Sequence, residues 1–431
     1  MAIAATTQWE IDKTGAAAAA TNGGGFNPSQ TSAGTNYSLK ANTPSAAGGP
    51  IAAPTGLAMT NASTTLTDAA NPFTPQMVGN IIYIVSGTNF VPGWYEITAY
   101  TSAGQVTLDR TAVSGGNGTS GVGNIGGCID LPADAFFEQC VPGNTVFIKG
   151  GTGVTYTLCE AISVAKYGTS TAPIFVVGYN DTRSIGCTCD GANRPTIAAG
   201  ANTLTFASYW LLRNIVVTTT ETYGLRNTGT GALFVNCKST NSSASAGRRA
   251  FYGNDSARFV DCEAICTKGS AINAGAGTSS YILWCYMHDS AQGCFINNGN
   301  ALVGVVIDTC TTGIYGTTGC YGLYLNCTID NCADGISFSN GHTILALNNI
   351  ISNCSKGAVL YYYNESAWWD YNDFYNNGTD TTNVPTRHAT LALPGPHDID
   401  ADPGYTDSAN GDYRTGGNVD DTGFGVRLGV G

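Results

Sequence analysis

The sequence predicts an all-β chain built around a parallel β-solenoid of about 22 residues per coil, and three features carry that expectation. The first is a repeat between residues 209 and 375. Asn214, Asn236, Asp261, Trp284, Val306, Asn326, Asn348 and Asp370 recur at intervals of about 20 to 25, in segments such as LLRNI, ALFVNC, ARFVDC, YILWC, LYLNC and ILALNN. The second is another register in phase with it, formed by Leu225, Phe251, Ile272, Phe295, Ile314, Ile336 and Ala358, usually just after Gly or another small residue. The third is composition: 11% charged residues and 56 glycines among 431 suit turn-dense β structure rather than helices.

The elements follow in chain order. Residues 1–56 are low in complexity (GAAAAATNGGG, TPSAAGGPIAAP), with TQWEID as their one strand, and read as an N-terminal arm with little core of its own. Residues 57–127 change texture: MVGNIIYIVSG, GWYEITAYTS and GQVTLDR alternate between Gly turns, as in a small antiparallel β-barrel or sandwich. Residues 128–375 form the solenoid, entered through VPGNTVFIKGG, TAPIFVVGYN and ANRPTIAA. Each coil holds two short β-rich runs separated by Gly, Asn, Asp and Ser, residues that tolerate tight corners, so three sheet faces are expected. At about 4.8 Å per coil, roughly ten coils from residue 143 would make a rod on the order of 50 Å long. Residues 376–431 are a polar, Gly-rich tail that would cap the last open edge.

Fifteen cysteines first suggest disulfides or a metal. Their spacing favours another reading. Cys237, Cys262, Cys285 and Cys327 fall at one position of the repeat, and Cys266, Cys310, Cys332 and Cys354 at another, each of these followed by x-x-Gly. Equivalent positions stack, so two interior sulfur ladders are expected, with free Cys acting as a small hydrophobe. Asn236, Asn326 and Asn348 should likewise form an internal amide ladder that satisfies turn backbone. No C-x-x-C or zinc-type His spacing occurs, and no cofactor or metal is expected.

A net charge of −12 without a basic run argues against a nucleic-acid partner. No apolar segment approaches the ~20 residues of a membrane span. The start, MAIAATTQWEID, has no charged n-region or apolar h-region, so synthesis in a reducing cytoplasm is the expectation.

VPGNTVFIKGGTGVTYTL, GTSTAPIFVVGYN and RPTI resemble the entry coils of the pectate-lyase-like right-handed parallel β-helix superfamily, and ADPGYTDSANGDYR resembles its closing segment. The opening TQWEIDKTGAAAAATNGGGFNP, with the inserted VGNIIYIVSGTNF…GWYEITAY…VTLDR module, is similar to virion-associated β-helix proteins of tailed bacteriophages. That resemblance implies a tail spike, tail fibre or capsid decoration on the virion surface. Its N-terminal region would contact other virion proteins, and its rod would meet host-surface polysaccharide. No coiled-coil heptads appear, and a homotrimer is left open.

The superfamily also includes lyases and hydrolases of acidic polysaccharides, which makes a depolymerase the alternative; a cellular surface or filament protein is the second. Hydrolases of this shape use paired carboxylates. The weak catalytic candidates are Asp289, Asp308, Asp330 and Asp334, with His288 beside them, although Asx residues at corners usually bond their own backbone. SNGHT around His342 has only a superficial likeness to a hydrolase signature, and Arg248 and Arg249 have no obvious carboxylate partners in sequence. The aromatic run Tyr361, Tyr362, Tyr363, Trp368, Trp369, Tyr371 and Phe374, with Glu365, Asp370 and Asp373, either plugs the rod's end or touches a glycan. Tyr362, Glu365, Trp368, Trp369, Asp370 and Asp373 are its candidate contact residues.

Overall fold

The computed structural model describes residues 3–30, 49–180, 183–187, 189, 191–275, 279–296, 299–318, 321–340, 343–360, 366–382 and 395–415. The chain forms two compact units: Met1–Glu160 with Val164–Ile197, and Ala161–Ser163 with Ala198–Gly431. The first thus gathers the expected arm, the small β module and the entry segments into one body.

In the first unit, Leu57–Met59, Thr65–Asp68, Gln105–Leu108, Gly93–Ser102, Ile81–Thr88 and Gly118–Ile125 close into an antiparallel barrel in that order. Alternation sends Leu57, Leu66, Ile82, Ile84, Ile97 and Val106 into its core. Where two strands nearly touch, a Cβ on Gly87 would lie 2.7 Å from the Gly121 Cα, and its φ of 144° suits glycine alone.

The opening residues are no loose arm. Gln8–Ile11 pairs in parallel with Thr145–Lys149, which pairs in turn with Ile174–Tyr179. Trp9 is fully buried; its indole N–H donates to Asn144 Oδ1 at 3.0 Å and its ring meets Phe136 edge-on at 5.2 Å. A low-complexity neighbourhood therefore hides one strand with a full share of core.

The second unit is a parallel β-solenoid of about eight turns with three faces. The first face runs from Trp210–Arg213 through Leu233–Val235, Arg258–Val260, Tyr281–Leu283, Asn300–Val303, Tyr321–Leu325 and Thr343–Leu347 to Ser366–Asp370. The second runs from Val216–Thr219 to Asp373–Tyr375, and the third from Ile162–Ser163 to Thr381–Thr382. Register is strict. Leu212, Phe234, Phe259, Ile282, Leu302, Tyr324, Ala346 and Trp369 stack inward on the first face. Phe234 and Phe259 lie 5.2 Å apart and 9° from parallel, with Phe251 edge-on to Phe259.

The corner after the first face is left-handed: Asn214, Asn236, Asp261, Trp284, Asn326, Asn348 and Tyr371 have φ between 49° and 59°. Three positions differ from the expected registers. The fifth corner is Gly304 (φ 64°), not Val306, because that coil is short; the last is Tyr371, not Asp370. In the inner row of the third face, Cys294 rather than Phe295 follows Ile272.

Asn236, Asn326 and Asn348 sit half-buried at these corners, where Asn tolerates positive φ, rather than in an internal ladder. Asn236 Nδ2 does donate to the neighbouring corner's Asn214 Oδ1 at 2.9 Å. The interior amides come one residue later. Asn349 Oδ1 accepts the Cys327 amide at 2.9 Å, its Nδ2 donates to Asn372 Oδ1 at 2.9 Å, and Asp398 Oδ1 accepts the Asn372 amide at 2.7 Å.

Cys237, Cys262, Cys285 and Cys327 occupy this same inward position in earlier coils, at 0–2% exposure. The Sγ–H of each reaches the carbonyl two residues back at 3.4 Å. After a second corner, Cys310, Cys332 and Cys354 stack with the Sγ of Cys332 between its neighbours, whereas the Cys266 amide meets Ser290 Oγ at 2.8 Å.

The tail does two things. Around Ile399 it continues the last coil, pairing with Asn372 and Phe374 at 2.9 Å each. The hairpin of Tyr405–Asp407 and Asp412–Thr415 then lies along the second face instead of ending the rod.

Candidate functional site

On the second face, parallel register lines up His288, Asp308, Asp330 and Ser352 on successive coils. Asp330 is 5% exposed; its Oδ1 accepts Ser352 Oγ at 2.6 Å and Asn353 Nδ2 at 2.7 Å. The Tyr413 hydroxyl, brought over by the hairpin, reaches Asp330 Oδ2 at 3.5 Å and also donates to Asp308, as does Tyr286. Burial first, then the Asp308 charge, raises the Asp330 pKa. The pair is therefore bridged and roofed by tyrosine.

The other acids go elsewhere. Asp289 stands at a left-handed corner (φ 50°), bonded to His288 Nδ1 at 2.7 Å. Asp334 opens a strand of the third face, 3.6 Å from Lys356 Nζ. The four candidate carboxylates thus do not converge, since corner and strand positions point them to different faces. His288 belongs instead to a surface ion network: its Nε2 is 3.3 Å from Glu263 Oε1, which takes Lys238 Nζ at 2.6 Å. Burial works to raise Glu263, but His288 and Lys238 outweigh it and bring the carboxyl down to about 2. For His288, burial is overcome by the two carboxylates, and its pKa is raised.

At the last coil, strand alternation splits the aromatic run. Trp368 points out, 70% exposed, while Trp369 (3%) and Phe374 (3%) point in and fill the interior. Trp369 is thus a core residue, not a ligand contact. Asp373 is also removed: it is fully buried, accepts the Ala401 amide at 3.0 Å, and is pushed up to about 6 by burial and by Asp400 and Asp402. Asp370 holds His397 Nδ1 at 2.9 Å; burial opposes ionisation there, but hydrogen bonds from His397 prevail and lower its pKa. The His397 ring stacks on Tyr371 at 4.6 Å and 4°. Tyr362, Glu365 and His342 lie outside the described residues.

A further cluster lies on the third face, where Tyr223–Asn227 pairs with Arg248–Tyr252 so that Tyr223 faces Arg249 and Arg226 faces Tyr252. The rings are 5.2 Å apart at 64°. The Arg226 guanidinium lies 4.5 Å from the Tyr223 centroid and 5.7 Å from that of Tyr252; Arg249 lies 5.4 Å and 5.8 Å away. Each cation lies within 6 Å of both ring centroids, a contact that suits a weakly hydrated guanidinium. Arg248 bonds Thr222 Oγ1 and stands 3.8 Å from Glu221. Among the described residues, neither Arg226 nor Arg249 is paired with a carboxylate. In a chain of net charge −12, this places two preorganised, uncompensated guanidiniums side by side. Arg248 and Arg249 stood out in the sequence; Tyr223, the ring across from Arg249, lies a coil earlier.

In the first unit, a cleft of about 440 Å³ is lined by Ile3, Arg110, Glu138, Cys140, Lys166 and Tyr167 among others. Its charges are engaged: Arg110 bonds Asp109 and Glu138 accepts the Ala165 amide.

No protein-family model matches the chain, and no curated protein matches its sequence. Among solved structures it is similar to pectate lyase Pel9A (13% identity, 70% of this chain and 85% of that one, TM-score 0.47). It is also similar to an alginate lyase from Paenibacillus sp. str. FPU-7 (9% identity, 62% and 94%, TM-score 0.34) and to a rhamnogalacturonan lyase (11%, 67% and 90%, 0.33). At such identities the likeness concerns the fold and nothing finer, and the expected kinship with bacteriophage virion proteins finds no support in it. The chain is an all-β protein with a parallel β-solenoid of about 22 residues per coil and a closed six-stranded barrel module.

Proposed function

We propose that the protein binds an anionic polysaccharide on the third face of its solenoid without cleaving it, the coils serving as a rigid scaffold. The observation that carries this reading is the Arg226, Arg249, Tyr223 and Tyr252 cluster: two cations with no carboxylate partner among the described residues, set beside two rings. Guanidinium donors suit carboxylate or sulfate groups of a glycan, and tyrosine faces suit its sugar rings. Trp368 and Tyr371, exposed by 70% and 47%, offer a second stacking surface at the last coil.

The test is equilibrium binding of polygalacturonate and alginate, with neutral dextran as control. Binding should weaken with salt. Arg226→Ala and Arg249→Ala should each lose roughly tenfold or more, the scale of a ~1.5–3 kcal/mol charge-assisted hydrogen bond. Equal affinity for dextran, or indifference to both substitutions, contradicts the proposal.

A depolymerase is the second reading, favoured by Asp308 and Asp330 lying in register on adjacent coils. Strand spacing puts their backbones about 4.8 Å apart, near the ~5 Å carboxyl separation of retaining glycosidases. Tyr413 would have to leave first. Release of reducing or unsaturated ends from either polyanion, lost in Asp330→Asn, would establish it. The virion-surface setting implied by the opening segment remains part of the proposal, with many copies turning modest contacts into firm attachment; protein mass spectrometry of purified particles tests it.

A further inference from the structure

The first face of the solenoid is apolar on both sides. Its inward ladder is ordinary core. Its outward side carries a second ladder, Val235, Val260, Leu283, Val303, Leu325 and Leu347, aligned by the register of successive strands and half-buried among the described residues. A parallel row beside it holds Leu211, Leu233, Leu323 and Leu345, with Arg258 and Tyr281 as its interruptions. Exposed rings flank the rows: Tyr281 (43%), Trp284 (49%) and Tyr321 (62%). The second face differs sharply, presenting Lys238, Glu263, His288 and Asp308 outward.

A parallel sheet that reads aliphatic on both sides is one that is covered on both sides. Strands of three to five residues rising about 3.3 Å each are roughly 10–16 Å wide, so eight of them at about 4.8 Å make a patch on the order of 500 Å². That reaches the upper end of a monomer's largest patch, and two copies burying it would remove about 1,000 Å², the size at which specific interfaces begin.

We infer that this face is a self-association surface on which a second copy of the chain packs face to face about a two-fold axis. Two observations select that occupant. The ridges recur at the strand spacing, and a surface with the same period and the same flatness is the identical face of another copy, the two sheets lying about 10 Å apart. Charge agrees: copies of a −12 chain repel, and along these rows from Leu211 to Leu347 the charged residues are Arg213 and Arg258 alone, so carboxylates enter only at Asp370 on the last strand. The inference is independent of the Arg226–Arg249 cluster, which lies on another face.

The experiment is sedimentation velocity with light scattering on the full chain at about 1 to 100 μM. The unmodified protein should be a dimer. Leu325→Lys and Val303→Lys, both outward and mid-face, should each weaken dimerisation at least tenfold, while Thr218→Lys on the second face leaves it intact. Far-UV circular dichroism and the melting temperature confirm that the variants fold; Leu325→Asn serves if either does not. A monomer at the highest concentration, a trimer, or a dimer indifferent to these substitutions overturns the inference.

Discussion

Glu10 lies fully buried on the opening strand, where its carboxylate accepts the Tyr179 hydroxyl and Arg183 Nη1 at 2.9 Å. Burial outweighs both contacts and raises its pKa to about 7, from an ordinary value of 4.5. The folded state therefore holds this proton more tightly than the unfolded chain. The stability this contributes is complete below about pH 4.5 and is lost as pH rises toward 7. Urea midpoints of the first unit's transition, measured from pH 4.5 to 8, should fall across that window, and Glu10→Gln should flatten the slope. A slope unchanged by the substitution contradicts the assignment. The thiols give a second residue-scale prediction. Burial pushes Cys327 up to about 12 and Cys266 to about 11, so neither supplies thiolate at pH 8. Among the described cysteines, Cys159 is exposed and Cys187 partly so, and these should label first; the ladder thiols should label only on unfolding. Rapid native labelling of most thiols would contradict their burial.

The coil corner is where sequence and structure are most legible to one another. Asn and Asp mark it because they tolerate the left-handed conformation, and where they occur, at Asn214, Asn236, Asp261, Asn326 and Asn348, the expected position is the observed one. Where Gly304 and Tyr371 replace them, mean spacing pointed one or two residues away, since a short coil before Gly304 and a long one before Tyr371 shift the count. The inward position after the corner changes along the rod from Cys to Asn, and a small apolar ladder becomes a hydrogen-bonded one. Asn349→Ala should accordingly cost about 2–3 kcal/mol in chemical denaturation, because it strands the buried Cys327 amide. Asn348→Ala, at the half-buried corner, should cost less, about 1 kcal/mol of backbone strain. Equal losses would remove the distinction between corner and ladder. The tail hairpin was not legible, because Tyr413 meets Asp330 across 83 residues with no repeat to announce it.

At the scale of the molecule, the repeat dictates both what is buried and what is displayed. Register stacks like with like, so one change of residue type converts a whole row: aliphatic on the first face, ionic on the second, and cation-on-ring over two coils of the third. The fold class could be read from periodicity because every coil restates it. The arginine–tyrosine cluster could not, because it needs two particular coils to place Arg and Tyr in opposite order. Everything rests on parallel, in-register winding. The most direct measurement is an engineered disulfide between Lys238→Cys and Glu263→Cys, which are Cα partners on adjacent coils of the second face. Oxidation followed by peptide mapping should find them joined in the native protein, and Lys238→Cys with Ile265→Cys, two residues out of register, unjoined. Failure of the first pair, or equal yield from both, would contradict the solenoid.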